Sequence, residues 1–262
     1  MKILFRSCGG LGNQIFQIFF ARLMAEKYET KDIWHYHEPK YDRIARWEYP
    51  NSQSFKKPND LEFILMRMRL PKILFRLGII NREFIKVGNY IILDGYFQSR
   101  TDYEIFNFEV IENQKSLIHQ ELRIKQADPA LSQKMLYHVR LGDFFKTEVE
   151  QLRFIAGITN RLIADSYIIS NRDDLFLKDD EFLSNCEKKS LKYVPTDHMN
   201  GLDLINFLSQ FGTLISNGSS LSFASVIIFK QQINSFENID HKSFSSESFK
   251  RLIELKNLLD SN

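Results

Sequence analysis

The stretch Lys2-Ile3-Leu4-Phe5-Arg6-Ser7-Cys8-Gly9-Gly10-Leu11-Gly12-Asn13-Gln14-Ile15-Phe16 decides the fold. Residues 2–6 are a short apolar run of the kind a buried strand makes, and residues 7–12 hold three glycines and read as a tight turn. From 13 to 28, Ile15, Phe16, Phe19, Phe20, Leu23 and Met24 recur at helical spacing, which makes this stripe core material. Strand, glycine-rich turn and helix in that order open an α/β unit. The turn can expose backbone N–H groups at a helix N-terminus, where an anion or a polar sugar is held well. It is neither a Walker loop, because no Gly-Lys-Ser/Thr follows, nor the dinucleotide fingerprint, because the third glycine of that pattern is missing. An ordinary tight turn fits these residues equally.

Working outward, Trp34-His35-Tyr36 reads as a second strand, 39–58 as a loop over a cleft, and 61–70 and 72–77 as two short helices separated by Pro71. Residues 90–96 return to strand character and 116–125 to a helix. A second alternating set follows: a strand at 135–140, a helix at 152–164, a strand at 166–170, a helix at 202–211, a strand at 214–216, and a helix or strand from 222 to 229. The tail 245–259 carries Phe249, Leu252, Ile253 and Leu259 on one face and is expected to cross back to the first half. Alternation in both halves predicts α/β architecture with parallel sheets whose ligands lie beyond the strand ends. The expected boundary divides the chain into 1–127 and 128–262.

Composition narrows the class. The 262 residues carry 35 basic and 33 acidic side chains, a net charge of +2, which lacks the basic excess that duplex nucleic acid attracts. Two cysteines, Cys8 and Cys186, suit a reduced cytosolic protein and leave no thiolate metal cluster. No apolar run approaches the roughly 18 residues of a membrane span. The segment 63–82 stands apart: Arg67, Arg69, Lys72, Arg76 and Arg82 alternate with apolar residues and no acid interrupts them, so either a solvated basic face or peripheral contact with an anionic membrane follows.

Three further clusters bear on chemistry. Strand alternation sends His138 and Arg140 to one side of Tyr137-His138-Val139-Arg140-Leu141-Gly142-Asp143, where the planar arginine fork suits a departing diphosphate. Ile215-Ser216-Asn217-Gly218-Ser219-Ser220-Leu221-Ser222 is a strand followed by a small polar turn able to present hydroxyls and N–H groups to phosphate. Trp34-His35-Tyr36-His37 suits stacking on a sugar or plain strand alternation, and Asp173-Asp174 and Asp179-Asp180 read as solvated loops or helix starts. His119, His198 and His241 are isolated in sequence, and no Asp-x-Asp pair occurs to carry a divalent ion to a sugar diphosphate.

Four ordered blocks carry a resemblance. Gly9-Gly10-Leu11-Gly12-Asn13-Gln14 with Phe16-Gln17, then Asp94-Gly95-Tyr96-Phe97-Gln98-Ser99, then His138-Val139-Arg140-Leu141-Gly142-Asp143, then Asp203-Leu204 with Ser209 and the serine-rich 216–222, resemble glycosyltransferase family 11, the α-1,2-fucosyltransferases. The resemblance implies a GT-B-like α/β fold of two Rossmann-like domains facing a cleft, with 1–127 on the acceptor side and 128–262 binding the nucleotide sugar. It implies inverting, metal-independent transfer of L-fucose from GDP-fucose to a hydroxyl of an oligosaccharide or lipid-linked glycan, as in surface polysaccharide or lipopolysaccharide assembly, with no bound cofactor. Arg140 is the catalytic residue it implies. His138, Arg140, Asp143, Asn171, Ser219 and Ser220 would hold the donor, and Gly10, Gly12, Asn13 and Gln14 would line the acceptor cleft. Asn171 stands where the family carries an acid that reads guanine N1–H and N2–H. Two rival readings are a transferase using another nucleotide sugar and a catalytically silent nucleotide-sugar-binding scaffold. The expected location is the cytoplasm, at or near the inner face of the membrane.

Overall fold

The computed structural model describes residues 1–38, 49–50, 55–141, 145–236 and 246–260. The chain divides into two compact units, Met1–Arg123 with Arg251–Asn262, and Ile124–Lys250. The division falls four residues before the expected boundary, and residues 251–262 group with the first unit, the return expected of the tail although the expected boundary counted them with the second.

The first unit runs β1 (Lys2–Ser7), α1 (Leu11–Lys27), β2 (Ile33–His37), α2 (Asp60–Arg67), α3 (Leu70–Arg76), β3 (Phe84–Val87), β4 (Tyr90–Leu93), α4 (Arg100–Tyr103) and α5 (Phe108–Leu122). Its sheet has the order β2-β1-β4-β3, with β1 parallel to both neighbours and β3 antiparallel at the edge. Fourteen of the 17 residues of α1 are buried, so this helix is interior on nearly all sides, and its aromatic stripe is core. Phe20 stacks on Phe97 at 4.1 Å, and Tyr103 donates its hydroxyl to the Phe97 carbonyl at 2.9 Å.

The second unit runs α6 (Pro129–Ser132), β5 (Met135–Val139), α7 (Glu148–Thr159), β6 (Tyr167–Ser170), α8 (Asp173–Phe176), α9 (Asp180–Lys189), β7 (Lys192–Tyr193), α10 (Gly201–Leu208), β8 (Thr213–Ser216), α11 (Ser220–Phe229) and β9 (Gln232–Ser235). Every strand pair is parallel, in the order β7-β6-β5-β8-β9. Numbered within the unit this is 3-2-1-4-5, the Rossmann order, and its switch point lies between β5 and β8. The closing helix α12 (Ser246–Asp260) buries Leu252, Leu255 and Leu259.

Several sequence expectations shift. Pro71 sits in the first turn of α3 rather than between the helices. The strand expected at 90–96 stops at Leu93, preceded by an antiparallel partner across Gly88-Asn89, and 222–229 is helical. The loop expected at 39–58 falls largely outside the described residues; within it, Lys56 bridges to Trp34. No helix among the described residues is long and apolar enough to cross a membrane.

Candidate functional site

In the second unit, the site is built where β5 and β8 end side by side. Their paired register runs out at His138 opposite Ser216. Beyond it the Asn217 side chain extends the pairing: Arg140 N–H donates to Asn217 Oδ1 at 2.9 Å, and Asn217 Nδ2 donates back to the Arg140 carbonyl at 2.6 Å. Both main-chain groups of Arg140, a half-buried residue, are thereby held at the switch point. On the other flank, Leu141 N–H donates to Asn171 Oδ1 at 2.7 Å, so the end of β6 braces the same turn.

After β8 the chain turns at Gly218, whose φ of +100° is accessible to glycine and costly for other residues. Ser216 Oγ accepts from Gly218 N–H at 3.2 Å and Ser219 N–H at 3.3 Å, closing the turn just ahead of α11. Ser219 occupies the N-cap of that helix, yet its hydroxyl makes no capping bond. It is fully buried, and its Oγ has no hydrogen-bond partner among the described residues. A buried hydroxyl left unpaired costs about 1–3 kcal/mol, and the first-turn N–H groups of α11 have no carbonyl partner within the helix. Orphan donors therefore converge at the positive end of a ten-residue helix.

His138 is anchored inside the unit. Its Nδ1 lies 2.6 Å from Ser222 Oγ in the first turn of α11, and the ring is buried. Burial, then the charge of Arg140, pushes its imidazole down to about 3, so it is neutral and ties β5 to the helix start. Asp143 lies outside the described residues. Ser220 is half-buried at the first position of α11. Asp173-Asp174 open α8 and Asp179-Asp180 cap and open α9, the helix starts expected of them, but Asp173 is buried rather than solvated, accepting from Thr196 N–H at 2.7 Å, Asp197 N–H at 3.1 Å and the Tyr193 hydroxyl.

In the first unit the glycine turn and the segment at 94–99 come together. Gln17 accepts from Cys8 N–H at 3.1 Å and donates to the Gly95 carbonyl at 3.1 Å, and Gln98 donates to Asn13 Oδ1 at 2.9 Å. Gly9 has φ +82°, and a Cβ there would stand 2.3 Å from the Asn13 amide nitrogen, so this glycine is required. Gly10 is exposed, and a Cβ on it would meet nothing within 4 Å. The other expected cleft residues divide. Asn13 is half-buried beside the turn, whereas Gly12 is inside α1 and Gln14 is buried, donating to the Gly9 carbonyl at 2.9 Å and accepting from Tyr49 N–H at 3.3 Å. Gln14 shapes the turn from within, because its position on α1 faces the core.

Sequence reasoning passed over the polar cluster at the carboxyl end of β1. Arg6, 2% exposed, donates through Nε and Nη2 to Asp94 Oδ1 at 3.0 and 2.6 Å and through Nη1 to Glu38 at 2.7 Å. Ser7 Oγ lies between His35 Nε2 at 2.7 Å and His37 Nδ1 at 3.0 Å. The signal was present in the two-residue spacing of His35 and His37, which puts both on one face of β2. It needed the register that sets Ser7 opposite His37. Asn217 was also missed as a separate residue, since an asparagine in a serine-rich turn gives no sign that it clamps a strand end.

No family model matches the chain, and no curated protein is similar to it in sequence. Among solved structures, it is similar to the NodZ α-1,6-fucosyltransferase co-crystallized with GDP, at 12% identity over 92% of this chain and 96% of that one, TM-score 0.49. It is also similar to the E. coli ADP-heptose LPS heptosyltransferase II, at 13% identity over 99% and 98%, TM-score 0.42. A third similar structure is a putative UDP-N-acetylglucosamine 2-epimerase from Listeria monocytogenes, at 9% identity over 99% and 88%, TM-score 0.38.

Proposed function

We propose that the chain is an inverting, metal-independent glycosyltransferase that takes a sugar from a nucleoside diphosphate, with L-fucose from GDP-fucose as donor and a galactoside hydroxyl of a growing surface glycan as acceptor. The orphaned Ser219 hydroxyl at the start of α11 carries this reading. Its site is polar, lies at the switch point of a Rossmann-ordered sheet and adjoins the main-chain clamp of Arg140, an arrangement suited to a diphosphate. As the glycosidic bond breaks, charge grows on the leaving phosphate. In this reading the Arg140 guanidinium and the α11 N-terminus stabilise that charge without a metal. The acceptor falls to the first unit, whose bare Gly10 and half-buried Asn13 line a polar turn.

A second reading, a donor with a base other than guanine, is favoured by one observation: Asn171 spends its only side-chain acceptor on Leu141.

The decisive experiment is Ser219→Ala. If the hydroxyl awaits a phosphate oxygen, alanine should stabilise the unliganded protein by about 1–3 kcal/mol while weakening binding of GDP roughly tenfold. Thermal shift reads both effects. For the parent, nucleotide at a hundred times its Kd adds about 2.7 kcal/mol, or about 5–10 °C. The same protocol with GDP, UDP, dTDP and ADP separates the two readings. No shift with any of them, or an alanine variant with undiminished affinity, removes the site.

A further inference from the structure

Helix α2 presents its apolar stripe outward. Leu61, Ile64 and Met68 recur at one face of the helix and are 54, 54 and 53% exposed, whereas the inward positions are Glu62, paired with Lys2 at 2.7 Å, and Met66. The pattern continues through α3 and the turn after it, where Ile73, Phe75, Leu77 and Ile79 are 49, 43, 68 and 64% exposed. Seven of the fifteen large apolar side chains exposed among the described residues thus fall within residues 61–79. A contiguous run of this kind marks an interaction surface, since scattered exposed leucines are ordinary and a helix with its apolar stripe turned to water is not.

The charge on the same segment selects the partner. Arg67 and Arg76 are exposed, Lys72 and Arg82 half-buried, and no acid lies between 63 and 82. Of the acids flanking the segment, Glu62 is buried against Lys2, Glu83 is half-buried with its carboxyl raised by burial, and Asp60 lies in the first turn of α2, whose N-cap is Asn59. Arg69 is committed within the unit: at φ +52° between the helices, its Nε reaches Asp94 Oδ2 at 3.4 Å. This contact ties the surface to the carboxyl end of β1, where Asp94 also holds Arg6.

We propose that residues 61–79 form an interfacial docking surface for an anionic lipid bilayer, with Leu61, Ile64, Met68, Ile73 and Leu77 entering the headgroup boundary and Arg67 and Arg76 meeting lipid phosphates. Apolar insertion and basic attraction are the two signals that stable but reversible membrane binding needs. The inference is independent of the donor and of catalysis, so its test requires no activity.

The full chain is sedimented with vesicles of phosphatidylcholine alone and of phosphatidylcholine with one-third phosphatidylglycerol. The parent is expected to partition onto the anionic vesicles at least about tenfold better, and to lose that preference in high salt. Arg67→Glu with Arg76→Glu should lower anionic partitioning by about tenfold or more, and Ile64→Ser with Leu77→Ser should lower it separately, both at unchanged melting temperature because all four side chains are exposed. Equal partitioning of parent and variants, or equal binding to neutral and anionic vesicles, overturns the proposal. So does lipid-free self-association of the parent, seen by analytical ultracentrifugation and abolished by the serine pair, which would assign the face to a second copy of the chain.

Discussion

At the end of β6 the Asn171 amide accepts the Leu141 N–H through Oδ1, and a main-chain donor in that place fixes which way the amide lies. The exposed end is therefore the NH2 group, a donor, whereas guanine N1–H and N2–H call for acceptors. Asn171→Asp keeps an oxygen for Leu141 and presents a second, charged one outward. Hydrogen bonds to a charged group are worth about 1.5–3 kcal/mol, so the ratio of GDP to UDP affinity should rise by about tenfold or more. Titration calorimetry measures both affinities, and an unchanged ratio in a folded variant would place the base elsewhere. Arg140 is tested at the same scale. Lysine in its place keeps the main-chain clamp of Asn217 and the charge but loses the planar fork, and losing an oxyanion-type donor costs on the order of 3 kcal/mol. Turnover of Arg140→Lys should fall about a hundredfold at an unchanged melting temperature. Turnover within threefold of the parent would remove Arg140 from catalysis.

Elements were legible where their pattern was local. The order strand, glycine turn, helix at 2–27 could be read directly, because one apolar run and one helical stripe decide it. The antiparallel β3 was not read, although Gly88-Asn89 between two runs is a hairpin signal; the stronger apolar run of 90–93 drew the assignment to itself. Helix α5 begins eight residues before its expected start because its inner face carries Gln114 and Lys115, which break the apolar period. Lys115 is buried with two partners, Glu112 on its own helix at 2.7 Å and the Leu259 carbonyl at 2.8 Å, the second 144 residues away where no local window reaches it. His138 is a similar case: strand alternation gave its side but not its burial, which comes from packing α11 over β5. That burial has a measurable consequence. The unfolded imidazole titrates near 6.5 and the folded one at about 3, so between these values only the unfolded chain takes up the proton. The contribution is fully present above pH 6.5 and is lost as pH falls toward 3, amounting to about 3 kcal/mol at pH 4.5. Chemical denaturation at pH 7 and 4.5 should show His138→Gln losing less stability than the parent by that order. Other groups act alike in both proteins and cancel, including Asp102, whose carboxyl burial pushes up to about 6. Parallel losses would mean that His138 titrates normally.

On the scale of the whole molecule, the two units differ in how they are closed. Ile124–Lys250 is continuous, with its own five-stranded sheet and a core that includes Tyr137, Val139, Phe154, Ile168 and Phe176. The first unit is discontinuous, since Arg251–Asn262 returns to it after the second is complete. Leu252, Leu255 and Leu259 of α12 are buried, and α12 supplies the carbonyl that satisfies Lys115. Three buried leucines contribute on the order of 5–9 kcal/mol, comparable with the whole stability of an ordinary domain. The residues that bear the proposed donor site, Arg140, Asn171, Ser219 and Ser220, all lie in the continuous unit. A fragment of residues 124–250 should therefore melt cooperatively and bind nucleotide within about fivefold of the full chain, its site depending on β5, β6, β8 and α11 alone. A fragment of residues 1–123 should stay unfolded, with the Lys115 ammonium deprived of its carbonyl and the counterface of three leucines open to water. Joining residues 246–262 to it through a short glycine–serine linker should restore a sharp thermal transition. Circular dichroism melts of the three proteins decide the matter: a cooperative transition in 1–123 alone would show that α12 is dispensable, and a non-binding 124–250 that melts cooperatively would show that the donor site draws on residues outside its own unit.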